Sequence, residues 1–210
     1  MLERGILAVL VFVAGFGQSS SGLDPGSYDE AARLYRNRTY AFSCRVPAGW
    51  VLRTEQLQPD RAADNKVLLA AFERPPEVAS DAPVATILIA SESQSEYPGL
   101  KTAEEYFAPL FEVVSAKGFK AENDPYSFPV GLVKVVREDF SHEQKDRATT
   151  YQSSLVVLSH GLILSFTFLA GSEEDVDTLI EGLSFAGGSG ARTSPKPAVK
   201  SSSPKKAAHP

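Results

Sequence analysis

Side chains able to do acid–base or nucleophilic chemistry are sparse in this sequence. There are three histidines, His142, His160 and His209, and one cysteine, Cys44. His142 stands in Glu138-Asp139-Phe140-Ser141-His142-Glu143, where serine, histidine and aspartate fall close together. Such a set activates a hydroxyl when the imidazole reaches the oxygen and a carboxylate orients the ring. On an extended segment successive side chains point to opposite faces, so these neighbours are poorly placed to meet. No Gly-x-Ser-x-Gly elbow accompanies them. His160 lies in Ser159-His160-Gly161, which reads as an exposed turn, and His209 lies near the C-terminus. The expectation is a chain without catalytic residues, with a hydrolase using His142 or His160 as the alternative.

Metal and nucleotide chemistry find no motif either. His-x-x-x-His, Cys-x-x-Cys and Asp-x-Asp-x-Asp spacings are missing, so no metal or other cofactor is expected. Glu173-Glu174-Asp175 are explained by a helix N-terminus, which favours negative charge. Gly187-Gly188-Ser189-Gly190 has no strand-to-helix context and reads as a linker. Cys44, alone, makes no intramolecular disulfide, and its place in an apolar run makes it a buried thiol. Trp50 follows the turn residues Pro47-Ala48-Gly49, where it serves packing in preference to ligand stacking. Asn37-Arg38-Thr39 matches the glycosylation sequon, a frequent chance match.

The elements that would hold these residues are clearer. Ser27 with Glu30 has capping-box spacing and predicts a short helix to about Asn37. Tyr40, Phe42, Cys44 and Val46 alternate on one face of a strand. Pro47-Ala48-Gly49 then turns the chain into a strand starting at Trp50-Val51-Leu52, which predicts a hairpin. Lys66–Arg74, Val84–Ala90, Leu155–Leu158 and Leu162–Ala170 are nearly continuous apolar runs, the pattern of strands covered on both faces. The connector Ser159-His160-Gly161 forces the last two into an antiparallel hairpin. Leu132–Arg137 adds a further strand.

Thr102 with Glu105 opens the clearest helix, where Ala103, Tyr106, Phe107, Leu110, Phe111 and Val114 form one apolar stripe and Gly118 marks the stop. Pro109 conflicts with that stripe, because an interior proline kinks a helix. A second helix starts near Ser172, with Val176, Leu179, Ile180 and Leu183 in register. The predicted fold is α+β, a three-layer α/β/α sandwich around a mainly antiparallel sheet.

At the N-terminus, one arginine precedes an apolar run from Gly5 to Phe16, and Gly15-Phe16-Gly17 offers a small-residue cleavage site. This is the order of a secretory signal, and about 12 apolar residues fall short of the roughly 20 that a membrane span needs. An uncleaved anchor and a buried helix are the weaker alternatives. The predicted organisation is a signal peptide at residues 1–17, a spacer with a short helix at 18–34, the folded domain at 35–186, and a disordered basic tail at 187–210. The tail carries Arg192, Lys196, Lys200, Lys205 and Lys206 without an acid, while the whole chain has net charge −5. The body is therefore acidic, which argues against nucleic-acid binding by the folded part. The tail fits anionic polymers, a membrane surface or the acidic body itself.

Leu34-Tyr35-Arg36-Asn37, Tyr40-Ala41-Phe42 and Val46-Pro47-Ala48-Gly49-Trp50 together resemble the opening of PsbP-like proteins, the superfamily of the photosystem II extrinsic subunit. Thr102–Phe107 and Leu183-Ser184-Phe185 are similar to later parts of that pattern, so the resemblance runs from about Tyr35 to Phe185. It implies an antiparallel α/β/α sandwich without typical enzyme activity, whose members act by docking on a photosystem or, in a nuclear-transport relative, on a small GTPase. No docking residue of those members has a match here. The expectation is a monomeric, exported (periplasmic or extracellular), non-enzymatic binding or accessory module that docks on an unidentified protein of the bacterial envelope. The alternatives are an envelope hydrolase and a structural protein acting through its tail.

Overall fold

A strand that is apolar on both faces must be covered on both. The computed structural model describes residues 25–57, 66–75, 85–145 and 148–186. In chain order these form β1 (Ser27–Asp29), β2 (Leu34–Asn37), β3 (Phe42–Arg45), β4 (Val51–Leu52), the single turn α1 (Thr54–Leu57), β5 (Lys66–Glu73) and β6 (Thr86–Ser93). There follow α2 (Phe107–Ala116), β7 (Lys120–Ala121), β8 (Tyr126–Val130), β9 (Val133–His142), β10 (Thr150–Ser159), β11 (Leu162–Ala170), α3 (Glu173–Glu181) and β12 (Leu183–Phe185). The expected signal peptide at 1–17, most of the spacer, and the tail at 187–210 lie outside the described residues.

Pairing is antiparallel throughout. The large sheet has the order β4-β5-β6-β11-β10-β9-β7, with β8 also on the outer edge of β9, and a second sheet runs β1-β2-β3-β12. Alternation divides the central strands between two cores. Val135, Leu155, Val157, Leu164, Phe166 and Phe168 face the second sheet and α3, joining Tyr35, Phe42, Cys44, Val176, Ile180, Leu183 and Phe185. Val136, Phe140, Val156, Ile163 and Leu169 face the other way, onto Phe107, Leu110 and Val114 of α2. Aromatic edges lock the sheets together: Phe166 meets Phe42 at 5.0 Å and Phe185 at 6.0 Å, and Tyr28 meets Phe72 at 4.8 Å.

The α+β, antiparallel character matches the expectation. One face of the large sheet is covered by α2 and the other by α3 together with a second sheet. That sheet uses residues expected as spacer and helix. Ser27–Asp29 pairs with Leu34–Arg36 in a hairpin, because Tyr28 and Tyr35 reach Phe72 from an extended backbone, burial that a helix would forfeit. Within the hairpin turn the carboxylate of Asp29, a residue outside the expected pair Ser27 and Glu30, accepts from the Ala32 N–H through Oδ1 at 2.9 Å. The hairpin predicted across Pro47-Ala48-Gly49 does not form either. β3 pairs with β2 and β12, whereas β4 crosses to β5 in the other sheet. Trp50 is half-buried against the larger core at that crossing.

The expected Thr102–Glu105 box forms, but in the turn that leads into α2. Thr102 Oγ1 accepts from the Glu105 N–H, and Glu105 Oε2 accepts in return from the Thr102 N–H at 3.2 Å. The helix proper begins only at Phe107, which resolves the Pro109 conflict. Pro109 is the third residue, and its missing N–H would have had no intrahelical partner. Gly118, at φ +88, ends α2, with the Phe119 N–H reaching back to the Val114 carbonyl. Ser172 caps α3 by accepting from the Asp175 N–H at 3.1 Å.

Phe166 is fully buried where the sheets meet. Phe166→Ala is expected to cost about 3–5 kcal/mol through lost transfer energy and the cavity left behind, read as the shift of the urea unfolding midpoint.

Candidate functional site

The predicted histidine set is not assembled. Odd-numbered residues of β9 face α3, which puts Asp139 and Ser141 on one side and His142 on the other. His142 rests on Phe119, ring centroids 5.0 Å apart, and against Gly118, where a Cβ would stand 3.1 Å from its Nε2. His160 is exposed at φ +52, with Gly161 at φ +76, in the tight turn where Ser159 pairs with Leu162. Cys44 is fully buried, and burial pushes its thiol up to about 12, so it stays protonated at neutral pH. Among the described residues no group of three or more His, Cys, Asp or Glu could hold a metal ion.

A different constellation does form around Asp139. Its Oδ1 takes Arg137 Nε at 2.6 Å and the Ser153 hydroxyl. Its Oδ2 takes Asn123 Nδ2 at 2.8 Å and the Tyr126 hydroxyl at 3.3 Å. Arg137 Nη2 lies 2.7 Å from Asp177 Oδ1, an ion pair without hydrogen-bond alignment that ties β9 to α3. Ser141 donates to Glu122. Burial is the largest influence on Arg137 and opposes its charge, but Asp139, Tyr126 and Asp177 together outweigh it and hold the guanidinium above its ordinary pKa. Burial, then Asp139, raises the Tyr126 phenol. The hollow beside these groups, lined among others by Glu122, Tyr151, Glu173 and Val176, has room for about one water molecule. Every donor and acceptor on Asp139 is committed to a neighbour, so the cluster clamps the sheet to α3 and presents no free nucleophile.

A second buried charge anchors the other cover. Glu92, at the end of β6, takes Lys66 Nζ at 2.7 Å and the Tyr106 hydroxyl at 2.6 Å on Oε1, and the Tyr97 hydroxyl on Oε2. Burial and this carboxylate raise both phenols, which remain donors. The bonds pin residues 94–106, the approach to α2, onto the sheet. No sequence motif signals either cluster, since each draws its members from segments far apart in the chain. Only the polar interruptions of apolar strands, at Glu92 and at Arg137-Glu138-Asp139, mark them.

Glu138 is the exception to this satisfaction. It faces the α2 side, 5% exposed, and its Oε2 has no protein partner. Gln152 Oε1 on the neighbouring strand is likewise unpartnered, its amide donating to Ser154 Oγ at 3.0 Å. Burial first, then Asp124 and Asp139, pushes the Glu138 carboxyl up to about 7.

No protein-family model matches the chain, and no curated protein sequence does. The elements above define an antiparallel α+β fold with a large sheet covered on both faces. Among solved structures it is similar to cyanobacterial PsbP (CyanoP) from Synechocystis sp. PCC 6803, at 15% identity and TM-score 0.51, over 73% of this chain and 93% of that one. Looser likenesses are LpqN, involved in cell envelope biogenesis of Mycobacterium tuberculosis (16% identity, TM-score 0.39, 68% and 82% coverage), and the Saccharomyces cerevisiae Ran-binding protein Mog1p (10%, 0.41, 68% and 78%). The fold is PsbP-like, and at this identity the fold is what is shared.

Two predictions follow from these buried charges. Arg137→Ala leaves the Asp139 carboxylate uncompensated and is expected to cost about 3–5 kcal/mol, whereas Arg137→Met combined with Asp139→Leu removes both charges and costs less; thermal unfolding of the two variants checks this. Because the folded-state pKa of Glu138 is raised from 4.5 to about 7, folding holds its proton across that window. Stability is full below the unfolded value and falls as pH rises, by roughly 2–3 kcal/mol once pH exceeds the folded value. Glu138→Gln abolishes this contribution. Urea midpoints at acid and alkaline pH are expected to show the variant gaining over the parent only on the alkaline side.

Proposed function

We propose that this chain is a non-enzymatic, exported accessory module of the bacterial envelope that docks on a protein partner through the rim of its large sheet. Its frame is an α/β/α sandwich in which a small sheet shares one outer layer with α3. Leu132 is the observation that carries the reading. It is 88% exposed at the tip of the β8–β9 hairpin, where Val130 pairs with Val133 and Gly131 stands at φ +64. A two-residue turn on paired strands has little freedom, so the side chain is presented at low entropic cost on binding. Lys134, two residues on, reaches Glu104 Oε1 at 2.9 Å and braces this tip against the approach to α2. An apolar side chain held rigidly at a hairpin tip is an anchor that a partner's pocket can take up with little loss of freedom.

Support for the non-enzymatic part comes from Asp139, Glu92 and the hydroxyls around them, all engaged with one another. Support for export comes from the apolar run Gly5–Phe16 behind Arg4. No helix among the described residues is long and apolar enough to cross a membrane.

A photocrosslinking amino acid at position 132 of the full chain, expressed in a bacterial host, tests the proposal. It is expected to give one discrete adduct with an envelope protein, while the same group at exposed Ala48 gives none. Leu132→Asp should weaken binding of that partner about tenfold or more. Adducts identical at both positions, or none at either, would overturn the docking rim.

A further inference from the structure

We propose that the outward face of the second sheet binds the phosphate groups of an extended anionic polymer, gripped by Arg36 and Arg45 over the hydroxyls of Ser43 and Ser184. This goes beyond the docking rim at Leu132 and does not depend on it.

Alternation builds the face. Tyr35 and Asn37 of β2, and Phe42 and Cys44 of β3, turn inward and are buried, which leaves Leu34, Arg36, Ser43 and Arg45 outward, Leu34 being opposite Arg45. The register sets Arg36 opposite Ser43 and Ser43 opposite Ser184. Arg36 and Arg45 are therefore diagonal neighbours on one face, with Cα atoms about 7–8 Å apart, a gap that a phosphate or two successive phosphates of a chain can bridge. The hydroxyls of Ser43 and Ser184 stand 2.9 Å apart and share one proton between them. The other proton is left to donate outward.

Charge points the same way. Arg33 and Arg38 flank β2 and are exposed, so four arginines lie on or beside this small sheet. Among the described residues none of the four forms an ion pair with a carboxylate. The one acid of β1, Asp29, lies on the outward face opposite Leu34, on the side of β2 away from Arg45, with one oxygen accepting from the Ala32 N–H. A guanidinium pairs with phosphate through parallel N–H donors, which gives arginine a geometric advantage over lysine for this ligand.

The occupant is a chain and not a bilayer because of what lies alongside. α3 runs directly into β12, and the Gly182 carbonyl between them accepts from the Arg45 N–H at 2.9 Å. The helix exposes Glu173, Glu174, Asp175 and Glu181 and carries no base. A flat anionic surface laid over the arginines would meet these carboxylates, while a single polymer strand lies over the arginines alone.

The experiment uses the full chain and fluorescently labelled linear polyphosphate, read by anisotropy. Arg36→Gln with Arg45→Gln is expected to weaken binding about tenfold or more and to flatten its salt dependence. Lys101→Gln with Lys145→Gln, which removes the same charge from exposed positions elsewhere, should change it by less than about threefold. Matched urea midpoints show that both variants are folded. Equal losses in the two double variants would reduce the effect to net charge and overturn the site. Vesicles of equal phosphatidylglycerol and phosphatidylcholine form the second arm: arginine-dependent binding to vesicles, with polyphosphate binding unaffected by the arginine changes, would overturn the polymer in favour of a lipid surface.

Discussion

The whole architecture depends on the central strands β6, β10 and β11 being apolar on both faces. Such a sheet is insoluble alone, and burial at roughly 25 cal/mol per Å² of apolar surface drives whatever can cover it into place. On one side α2 suffices, because its stripe of Phe107, Leu110 and Val114 lands on Val136, Val156 and Ile163. On the other side α3 is too short to span the sheet, and the remainder is sealed by four short strands rich in aromatics. That division explains why the first and last segments of the folded body meet in one sheet. β1 to β3 and β12 are drawn together by the same apolar surface.

The covers are fixed in position by buried polar groups, and their distribution is asymmetric. Glu92 with Lys66, Tyr97 and Tyr106 secures the approach to α2, and Asp139 with Arg137 and Asp177 secures α3. Hydrophobic contact is tolerant of small slips, whereas a buried carboxylate with three or four specific donors is not. Each cover therefore has one such registration point. β9 bears the cost of this arrangement, since Arg137, Glu138 and Asp139 alternate across a strand buried on both faces. Two of the three find partners on the α3 side, and Glu138, pointing the other way, keeps one carboxylate oxygen without a partner.

How much of this was legible before the structure depended on whether the signal was local. The strands at Lys66–Arg74, Leu155–Leu158 and Leu162–Ala170, the hairpin at Ser159-His160-Gly161, and both helices were readable because runs, turns and caps are written in adjacent residues. The helix expected at Ser27–Asn37 failed because capping chemistry is weak, worth about 1 kcal/mol, beside the burial of Tyr28 and Tyr35 on Phe72. The hairpin expected across Pro47-Ala48-Gly49 failed for a related reason. A turn says that the chain reverses and is silent on which sheet it joins. The Asp139 and Glu92 clusters were beyond reach, since their members span Lys66 to Tyr106 and Asn123 to Asp177 with no shared spacing.

The same alternation that hides the core decides what the surface can recognise. A strand whose inward positions are aromatic must place its remaining residues outward as a set, in a register dictated by its neighbours. On β2 and β3 those residues are two arginines, a serine and Leu34, and on α3 the outward residues are almost all acids, so opposite charges are held side by side in one layer without neutralising each other. Charges on a rigid scaffold cannot relax together as they would on flexible loops, and the local fields therefore persist to meet a ligand. Selectivity for a narrow anionic chain over a broad surface then needs no special pocket. It follows from the width of the arginine stripe and from the carboxylates that border it.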